Sequence, residues 1–208
     1  MFGGSYLNRL SWLRSSHVFL NAVVSSPNTR WLLFNAGQPL ILSDGAQKNL
    51  AYFPTHDIKS FLGPEPYFGQ GKEHGGIISK EEESSFTEAA RHHSSPVVFL
   101  GLEEAASATS ALPSSDFKSP DSALSNIEGT PYFSIDVADL GLADDQIQTI
   151  LDATELAKGS QSLTWSEPRA LMRGLDAFNG SIFAEARSMV DWNLRNKVRT
   201  CQAPVRCC

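Results

Sequence analysis

The sequence predicts an α+β fold, with a mixed or antiparallel sheet, flanking helices and a helical C-terminal subdomain. Two observations carry this prediction. Short apolar runs of strand length recur between residues 31 and 137, whereas from residue 143 onward apolar residues recur with the period of about 3.6 typical of helices. The chain has 208 residues, of which 41% are hydrophobic, and is therefore long enough to bury a core.

The first predicted element is an amphipathic helix, whose apolar positions at helical intervals are Leu7, Leu10, Trp12, Leu13 and Leu20. Five apolar runs follow that we predict to be strands, because Gly, Pro and a Ser-Asp-Gly turn separate them. These runs are WLLFN (31–35), PLIL (39–42), LAYF (50–53), VVFLGL (97–102) and YFSIDV (132–137). In the last run Phe133, Ile135 and Val137 alternate, which predicts that they share one face.

Two polar tracts separate the later strands. Residues 63–96 are rich in Gly, Glu and His, and the spacing of Ser85 and Glu88 predicts a short capped helix within them. Residues 104–129 are rich in Ser and Ala and carry two prolines. They have too few large apolar residues to offset the entropy of ordering, so we interpret them as a disordered insertion.

Three helical segments are predicted in the C-terminal region. The first spans residues 143–159, with an apolar face formed by Ile147, Ile150, Leu151 and Leu156 and a stop at Gly159. A second is predicted from the capping-box spacing of Thr164 and Glu167, with Pro168 in its first turn. Asn179-Gly180 is expected to interrupt it, and a third resumes with Ile182, Phe183, Ala186, Met189 and Val190 in phase.

Charge and cysteine content limit the partners and the compartment. The net charge is -6 and the pI is near 5.3, which argues against a nucleic-acid partner or a broad anionic-membrane face. No apolar run reaches the length of a membrane span. The three cysteines, Cys201, Cys207 and Cys208, lie in the last eight residues, so the body of the chain suits a reducing compartment, and we expect the cytoplasm.

A search for catalytic residues finds no assembled active site in this sequence. Carboxylates are densest at residues 81–83 and 103–104, where Mg²⁺ is conceivable but a solvated face is favoured. His92 and His93 are neighbours, so on a regular element they point apart. Asn179-Gly180-Ser181 matches a glycosylation acceptor, which we interpret as a chance match. No phosphate-binding glycine loop or nucleophile elbow is present.

The final helix resembles a known family. ARSMVDWNLRN (186–196) resembles the helix that enters the zinc ribbon in the NADH pyrophosphatase branch of the Nudix hydrolases. Other segments resemble that family in matching order, namely LNRLSWLR, LFNAGQPLI, VVFLGLEE, YFSIDV and EPRALM. The resemblance implies a Nudix-like N-terminal domain over residues 1–165, a helical connector toward a missing zinc ribbon over 166–197, and an aberrant Cys-containing tail over 198–208.

In that family the N-terminal domain is not catalytic. A zinc ribbon with one structural Zn and a catalytic domain follow it, and the catalytic Nudix box uses Mg or Mn to hydrolyse NAD(H) to nicotinamide mononucleotide and AMP. The box is absent from this chain. We therefore expect no catalytic residue, no cofactor or metal and no NAD(H) hydrolysis from this chain alone, and instead an architectural role that includes a homodimer.

The resemblance also implies a set of structural signature residues, which are Arg187, Asp191, Trp192, Asn193 and Arg195. We interpret Trp192 as packing against the sheet, with the charged residues making surface or helix-end interactions. The alternative function is a stand-alone protein-interaction or dimerisation module without enzymatic activity. Full-length relatives are often peroxisomal, but the ending Arg-Cys-Cys does not resemble a peroxisomal signal.

The tail departs from the family pattern after Lys197. The family has Phe-Cys-x-x-Cys-Gly there, whereas this chain has VRTCQAPVRCC. A structural zinc site usually needs four Cys or His ligands, and Cys201, Cys207 and Cys208 are too few. We interpret the tail as the product of a retained intron that begins at Val198-Arg199. A metal- or redox-sensing tail built on the three cysteines is the weakest alternative.

Overall fold

The computed structural model describes residues 7–68, 97–104 and 129–195, apart from Trp12, Ser15, Ala46, Pro64, Pro66 and Ser160. The strands are β1 (Arg30–Asn35), β2 (Gln38–Ser43), β3 (Lys48–Leu50), β4 (Tyr52–Phe53), β5 (Val98–Glu104), β6 (Gly129–Asp136) and β7 (Ser162–Trp165). The α-helices are α1 (His17–Val24), α2 (Lys59–Leu62), α3 (Asp144–Asp152), α4 (Pro168–Met172) and α5 (Ala177–Arg195). Short 3-10 helices cover Thr55–Ile58, Val137–Asp139 and Leu156–Lys158.

The seven strands form one mixed sheet. Its main path is β3-β2-β1-β6-β5, while β4 pairs with β1 and β7 pairs with β2. Strands β1 and β6 are parallel, from Arg30 opposite Tyr132 to Phe34 opposite Asp136, and the other pairs are antiparallel. The topology confirms the predicted α+β class with a mixed sheet.

Helices pack on both faces of the sheet, because successive side chains of a strand point to opposite sides. On β1, Trp31 and Leu33 join a cluster that includes residues of α1 and α3. Leu32 and Phe34 join the opposite cluster, which includes residues of α4 and α5. Thus the helical C-terminal region packs directly on the sheet.

The strand predictions are confirmed in position, with one run divided. Phe133, Ile135 and Val137 lie in the same hydrophobic cluster, as their alternation predicted. The run LAYF is split between β3, which pairs with β2, and β4, which pairs with β1. The break is at Ala51, whose N–H donates to the carbonyl of Leu40 at 3.2 Å.

The predicted first helix is wrong over its N-terminal part. The chain enters helix α1 at His17, where the Ser16 hydroxyl accepts a hydrogen bond from the Phe19 N–H at 3.2 Å. Before it, Asn8 forms an isolated β-bridge with Leu102 of β5. Leucines spaced by three residues imitate a helix here, although Leu7 and Leu10 lie in different hydrophobic clusters.

The predicted helix over residues 143–159 is shorter in the structure. Helix α3 ends at Asp152, with Ile147 and Leu151 buried as predicted. A 3-10 turn leads to Gly159, whose φ of -72° is not that of a left-handed glycine cap.

The next segment contradicts two predictions. Thr164, predicted to cap a helix, lies in β7 opposite Ile41, and Glu167 caps α4 instead by accepting a hydrogen bond from the Ala170 N–H at 2.9 Å. Asn179 and Gly180 do not interrupt the last helix, since α5 begins at Ala177 and runs through both. Asp176 supports this start by accepting a hydrogen bond from the Asn179 N–H at 2.9 Å.

Residues 69–96, 105–128 and 196–208 lie outside the described residues. With them lie the helix predicted at Ser85 and Glu88, almost all of the insertion over 104–129, and the three cysteines of the tail. Strands β5 and β6 take in the two end residues of that insertion, Glu104 and Gly129. Within the described ranges, no helix has the length and apolar character needed to cross a membrane.

Candidate functional site

The tight turn between β1 and β2 is the first component of the candidate site. Its central residues, Ala36 and Gly37, have φ values of 49° and 75°. Positive φ at both central positions is typical of the type I′ turn, which joins antiparallel strands through two residues. Asn35 and Gln38 are paired across this turn.

Asp136, at the end of β6, holds this turn in place. Its residue is only 3% exposed. One carboxylate oxygen, Oδ1, accepts hydrogen bonds from the Ala36 N–H at 3.1 Å and the Ala138 N–H at 2.9 Å, and Oδ2 accepts one from the Gly37 N–H at 2.8 Å. Hydrogen bonds to a charged acceptor are stronger than neutral ones, so this carboxylate joins the turn firmly to the parallel strand.

Arg187 approaches the same turn from helix α5. A Cβ atom placed on Gly37 would lie 2.8 Å from Arg187 Nη1 and 2.9 Å from Cζ, so the guanidinium lies directly against the glycine. Nη1 also lies 3.5 Å from Oδ1 of Asp191. The other oxygen of Asp191 lies 2.9 Å from Arg195 Nη2. Asp191 is therefore flanked by two arginines on one face of the helix, because residues four apart are neighbours there.

The structure joins three of the five signature residues by ion pairs. Arg187, Asp191 and Arg195 form the charged row described above. Asn193 is half-buried. Trp192 is 60% exposed, so the interpretation that it packs against the sheet is wrong. The core face of α5 is formed instead by Ile182, Phe183, Ala186 and Val190.

A second polar cluster lies where α5 begins. The Tyr52 hydroxyl donates to Asn179 Oδ1 at 2.7 Å, and Asn179 Nδ2 donates to Asp176 Oδ2 at 2.6 Å. The Tyr132 hydroxyl donates to Glu103 Oε2 at 2.9 Å, and the centroids of the two tyrosine rings lie 5.5 Å apart. Burial raises the pKa of both tyrosines above the ordinary range. Both ends of the Asn179 amide, the asparagine of the glycosylation acceptor pattern, are therefore hydrogen-bonded.

The carboxylates considered as a magnesium site do not converge. Glu103 accepts from Tyr132, whereas Glu104 Oε1 accepts from Asn8 Nδ2 at 2.6 Å. Adjacent residues of a strand point to opposite faces, which explains the separation. In the described parts of the chain, no group of three or more His, Cys, Asp or Glu is placed to hold a metal ion. The other candidates, Glu81–Glu83 and the three tail cysteines, lie outside those parts.

Sequence reasoning missed Asp136, although a signal was available. It is the one charged residue in the apolar run YFSIDV, and a buried carboxylate needs hydrogen-bond donors. Two of its three donors, the N–H groups of Ala36 and Gly37, come from a turn about 100 residues earlier in the chain, which local patterns do not reveal.

The arrangement is that of a structural junction, in which one carboxylate and one guanidinium join a hairpin turn, a parallel strand and the last helix. No curated protein matches the chain. The family model of the NADH pyrophosphatase-like rudimentary NUDIX domain matches residues 28–192, which include the turn, Asp136, Arg187 and Trp192. The match spans most of the 208 residues and confirms the resemblance seen in the sequence. The chain belongs to the family of NADH pyrophosphatase-like rudimentary NUDIX domains.

Proposed function

We propose that this chain is the non-catalytic, architectural domain of an NADH pyrophosphatase. NAD(H) hydrolysis with Mg or Mn then belongs to the catalytic domain of the full-length protein, and this domain sets the position of its neighbours. The family match supports the proposal, because it is to a rudimentary domain. The observation that carries it is the way helix α5 is held.

Helix α5 is fixed along its length by two kinds of contact. Its apolar face is buried against the sheet through residues such as Phe183 and Val190. From its flank, Arg187 reaches the β1–β2 turn that Asp136 orders. A helix attached in this way keeps its direction, so whatever follows its last turn has a defined starting orientation.

The outer side of the last turns presents a contact surface. Trp192 is 60% exposed there, beside Asp191 and Arg195. Tryptophan and arginine are enriched among the residues that dominate binding energy at protein interfaces. We propose that this surface contacts a neighbouring domain or the second copy in a homodimer.

The test combines an activity assay with the oligomeric state. The full chain with NADH and either Mg²⁺ or Mn²⁺ should release no AMP above a buffer blank. Turnover that survives repurification would overturn the non-catalytic assignment. Replacing Trp192 with Ala should leave the unfolding temperature nearly unchanged, since the ring is mostly exposed, and should reduce the dimer fraction in light scattering.

Val18→Ala is the matched control for Trp192→Ala. Val18 is 58% exposed on α1, the helix packed on the opposite face of the sheet, so its removal should not change the dimer fraction. Equal dimer fractions for the two variants would remove the outer surface of α5 from the interface.

The second candidate function is a stand-alone interaction module, which the exposure of Trp192 also favours. Sequencing the transcript across Lys197 separates the two. An in-frame exon that encodes Phe-Cys-x-x-Cys-Gly supports the pyrophosphatase domain, and a functional short transcript supports the module. For either, we propose the cytoplasm as the compartment, because the first 200 residues contain no cysteine, and fractionation of cells tests this.

A further inference from the structure

The segment before helix α1 covers the edge of the sheet. Strand β5 ends the path β3-β2-β1-β6-β5, and such an edge exposes backbone groups that attract other strands. Leu7 packs in the hydrophobic cluster on one face, whereas Leu10 packs in the cluster on the other. The chain therefore passes around the edge of β5 between these two residues. We call residues Leu7–Arg9 the N-terminal arm.

The arm is hydrogen-bonded to β5 as a short antiparallel strand. The Asn8 N–H donates to the carbonyl of Leu102 at 2.8 Å, and the Leu102 N–H donates to the carbonyl of Asn8 at 2.8 Å. A Cβ atom on Gly101 would lie 2.7 Å from the Asn8 carbonyl oxygen and 2.9 Å from Leu7 Cβ. Glycine at this position is therefore what lets the arm approach the strand.

Arg14 covers the next part of the same edge without forming a strand. Its Nη2 donates to the carbonyl of Phe99 and to that of Leu100, the second at 3.2 Å. Its Cζ lies 5.7 Å from the centroid of the Phe99 ring. Arm and guanidinium together engage the backbone of β5 from Phe99 to Leu102.

The charges of the arm and the edge are complementary. Arg9 Nε lies 3.2 Å from Oε1 of Glu185, whose side chain is only 9% exposed. Asn8 donates to Glu104 at 2.6 Å. The surface that receives the arm is thus acidic and fits a basic extended segment.

The arm is joined to the rest of the chain through a strained residue. Leu10 has a φ of 44°, in the left-handed region that a leucine rarely adopts. It is also 1% exposed, so this strained backbone is held by its buried side chain. Strain of this kind marks the point at which the arm can change direction with respect to the domain.

We propose that the β5 edge is an interaction surface for a second copy of this chain, whose arm replaces the resident arm in a reciprocal exchange. The inference rests on the homodimer of the proposed function and adds a contact at the β5 edge to the one proposed around Trp192. The arm of the second copy is identical and makes the same hydrogen bonds, so the edge can bind it in place of the resident arm. Opening at Leu10 also releases the left-handed backbone.

Two single-charge variants test the exchange. In Arg9→Glu and in Glu185→Arg, the resident arm meets a like charge, so each chain alone loses the pair. In a 1:1 mixture, an exchanged heterodimer restores an opposite-charge pair at both edges, while closed monomers and homodimers restore none. Native mass spectrometry of the full chains under reductant should show a ratio of heterodimer to total homodimer at least about threefold above the ratio expected from random pairing.

The controls separate the exchange from a general change of charge. The double variant R9E/E185R restores the pair within one chain and should behave as the wild type. Lys59 and Glu65 form an exposed ion pair, with 3.5 Å between Nζ and Oε1, that does not belong to the β5 edge. A mixture of Lys59→Glu with Glu65→Lys should therefore give no enrichment of heterodimer. If E185R does not fold, Asn8→Asp mixed with Glu104→Lys provides the second complementary pair.

A ratio of heterodimer to homodimer at or below that of random pairing would overturn the exchange. If the wild-type chain is still dimeric in that case, the proposed homodimer stands and uses another surface. A wild-type chain that is monomeric at all concentrations measured would overturn both the exchange and the homodimer.

Discussion

Replacing Gly37 with Ala tests whether Arg187 lies against the β1–β2 turn. The first cost is conformational, since φ at Gly37 is 75° and an L-residue in this region loses about 1–2 kcal/mol relative to glycine. The second is steric, because the new Cβ would lie 2.8 Å from Arg187 Nη1. A guanidinium is the end of a flexible side chain, so we expect it to move away rather than open the hairpin.

The displaced arginine gives up its contact with the turn and its pair with Asp191. Pairs this exposed contribute about 0.2–1 kcal/mol. We therefore expect Gly37→Ala to lower the free energy of unfolding by about 1–3 kcal/mol in urea denaturation. In a chain of this size each kcal/mol corresponds to a decrease of about 2–4 °C in Tm.

Gly141→Ala is the matched control. Gly141 has a similar φ of 69°, but nothing lies within 4 Å of an added Cβ, so only the conformational cost applies. In an Arg187→Ala background, Gly37→Ala should cost no more than Gly141→Ala. A coupling between Gly37→Ala and Arg187→Ala below about 0.3 kcal/mol would show that the two residues act independently and would refute the contact.

Three further predictions concern buried polar groups. Asp136→Asn should lower the free energy of unfolding by about 2–3 kcal/mol, because the amide cannot accept from three backbone donors as a carboxylate does. A loss below about 1 kcal/mol in urea denaturation would contradict this. Among the described residues, Ser134 has a buried hydroxyl oxygen without a hydrogen-bond partner. Ser134→Ala should therefore leave the free energy of unfolding unchanged or raise it by about 1 kcal/mol. A marked decrease in urea denaturation would mean that the hydroxyl is hydrogen-bonded. Burial and the hydrogen bond to Glu65 raise the pKa of Tyr67 from 10.0 to about 12. The folded state therefore gains stability from the protonated hydroxyl of Tyr67 that is complete below pH 10 and is lost as the pH rises through 12. The tyrosinate absorbance that Tyr67→Phe removes should therefore appear together with the loss of circular dichroism, and Tyr67→Phe should reduce the alkaline loss of stability. Tyrosinate formation at pH 10 in the folded chain that is absent from Tyr67→Phe would contradict the assignment.

Elements with a strong local pattern were predictable from the sequence. Strand β1 and its turn follow from an apolar run before a glycine, and α3 follows from the spacing of Ile147 and Leu151. Strand β7 was missed because Thr164 and Glu167 have the spacing of a capping box. Its residues are recognised as a strand only through pairing with β2, which lies more than 100 residues earlier.

The candidate site was predictable only in part, for the same reason. The helix that carries Arg187 and Asp191 was located by resemblance, and their mutual contact follows from a separation of four residues. The position of Arg187 against Gly37 depends on how α5 crosses the sheet. Trp192 was misplaced because a tryptophan is usually buried, whereas its angular position on α5 lies away from the core face formed by Phe183 and Val190.

The parallel pairing of β1 with β6 has a consequence for how this chain folds. Ala36 and Asp136 are 100 residues apart, so the turn gains its carboxylate only after a long loop has closed. The entropy of closing a loop grows with the logarithm of its length, and a doubling costs only about 0.6 kcal/mol. The polar tracts between the two strands can thus lengthen in evolution with little loss of stability. Contacts between such distant residues instead slow folding, so we expect the hydrogen bonds from the turn to Asp136 to form only late in the process.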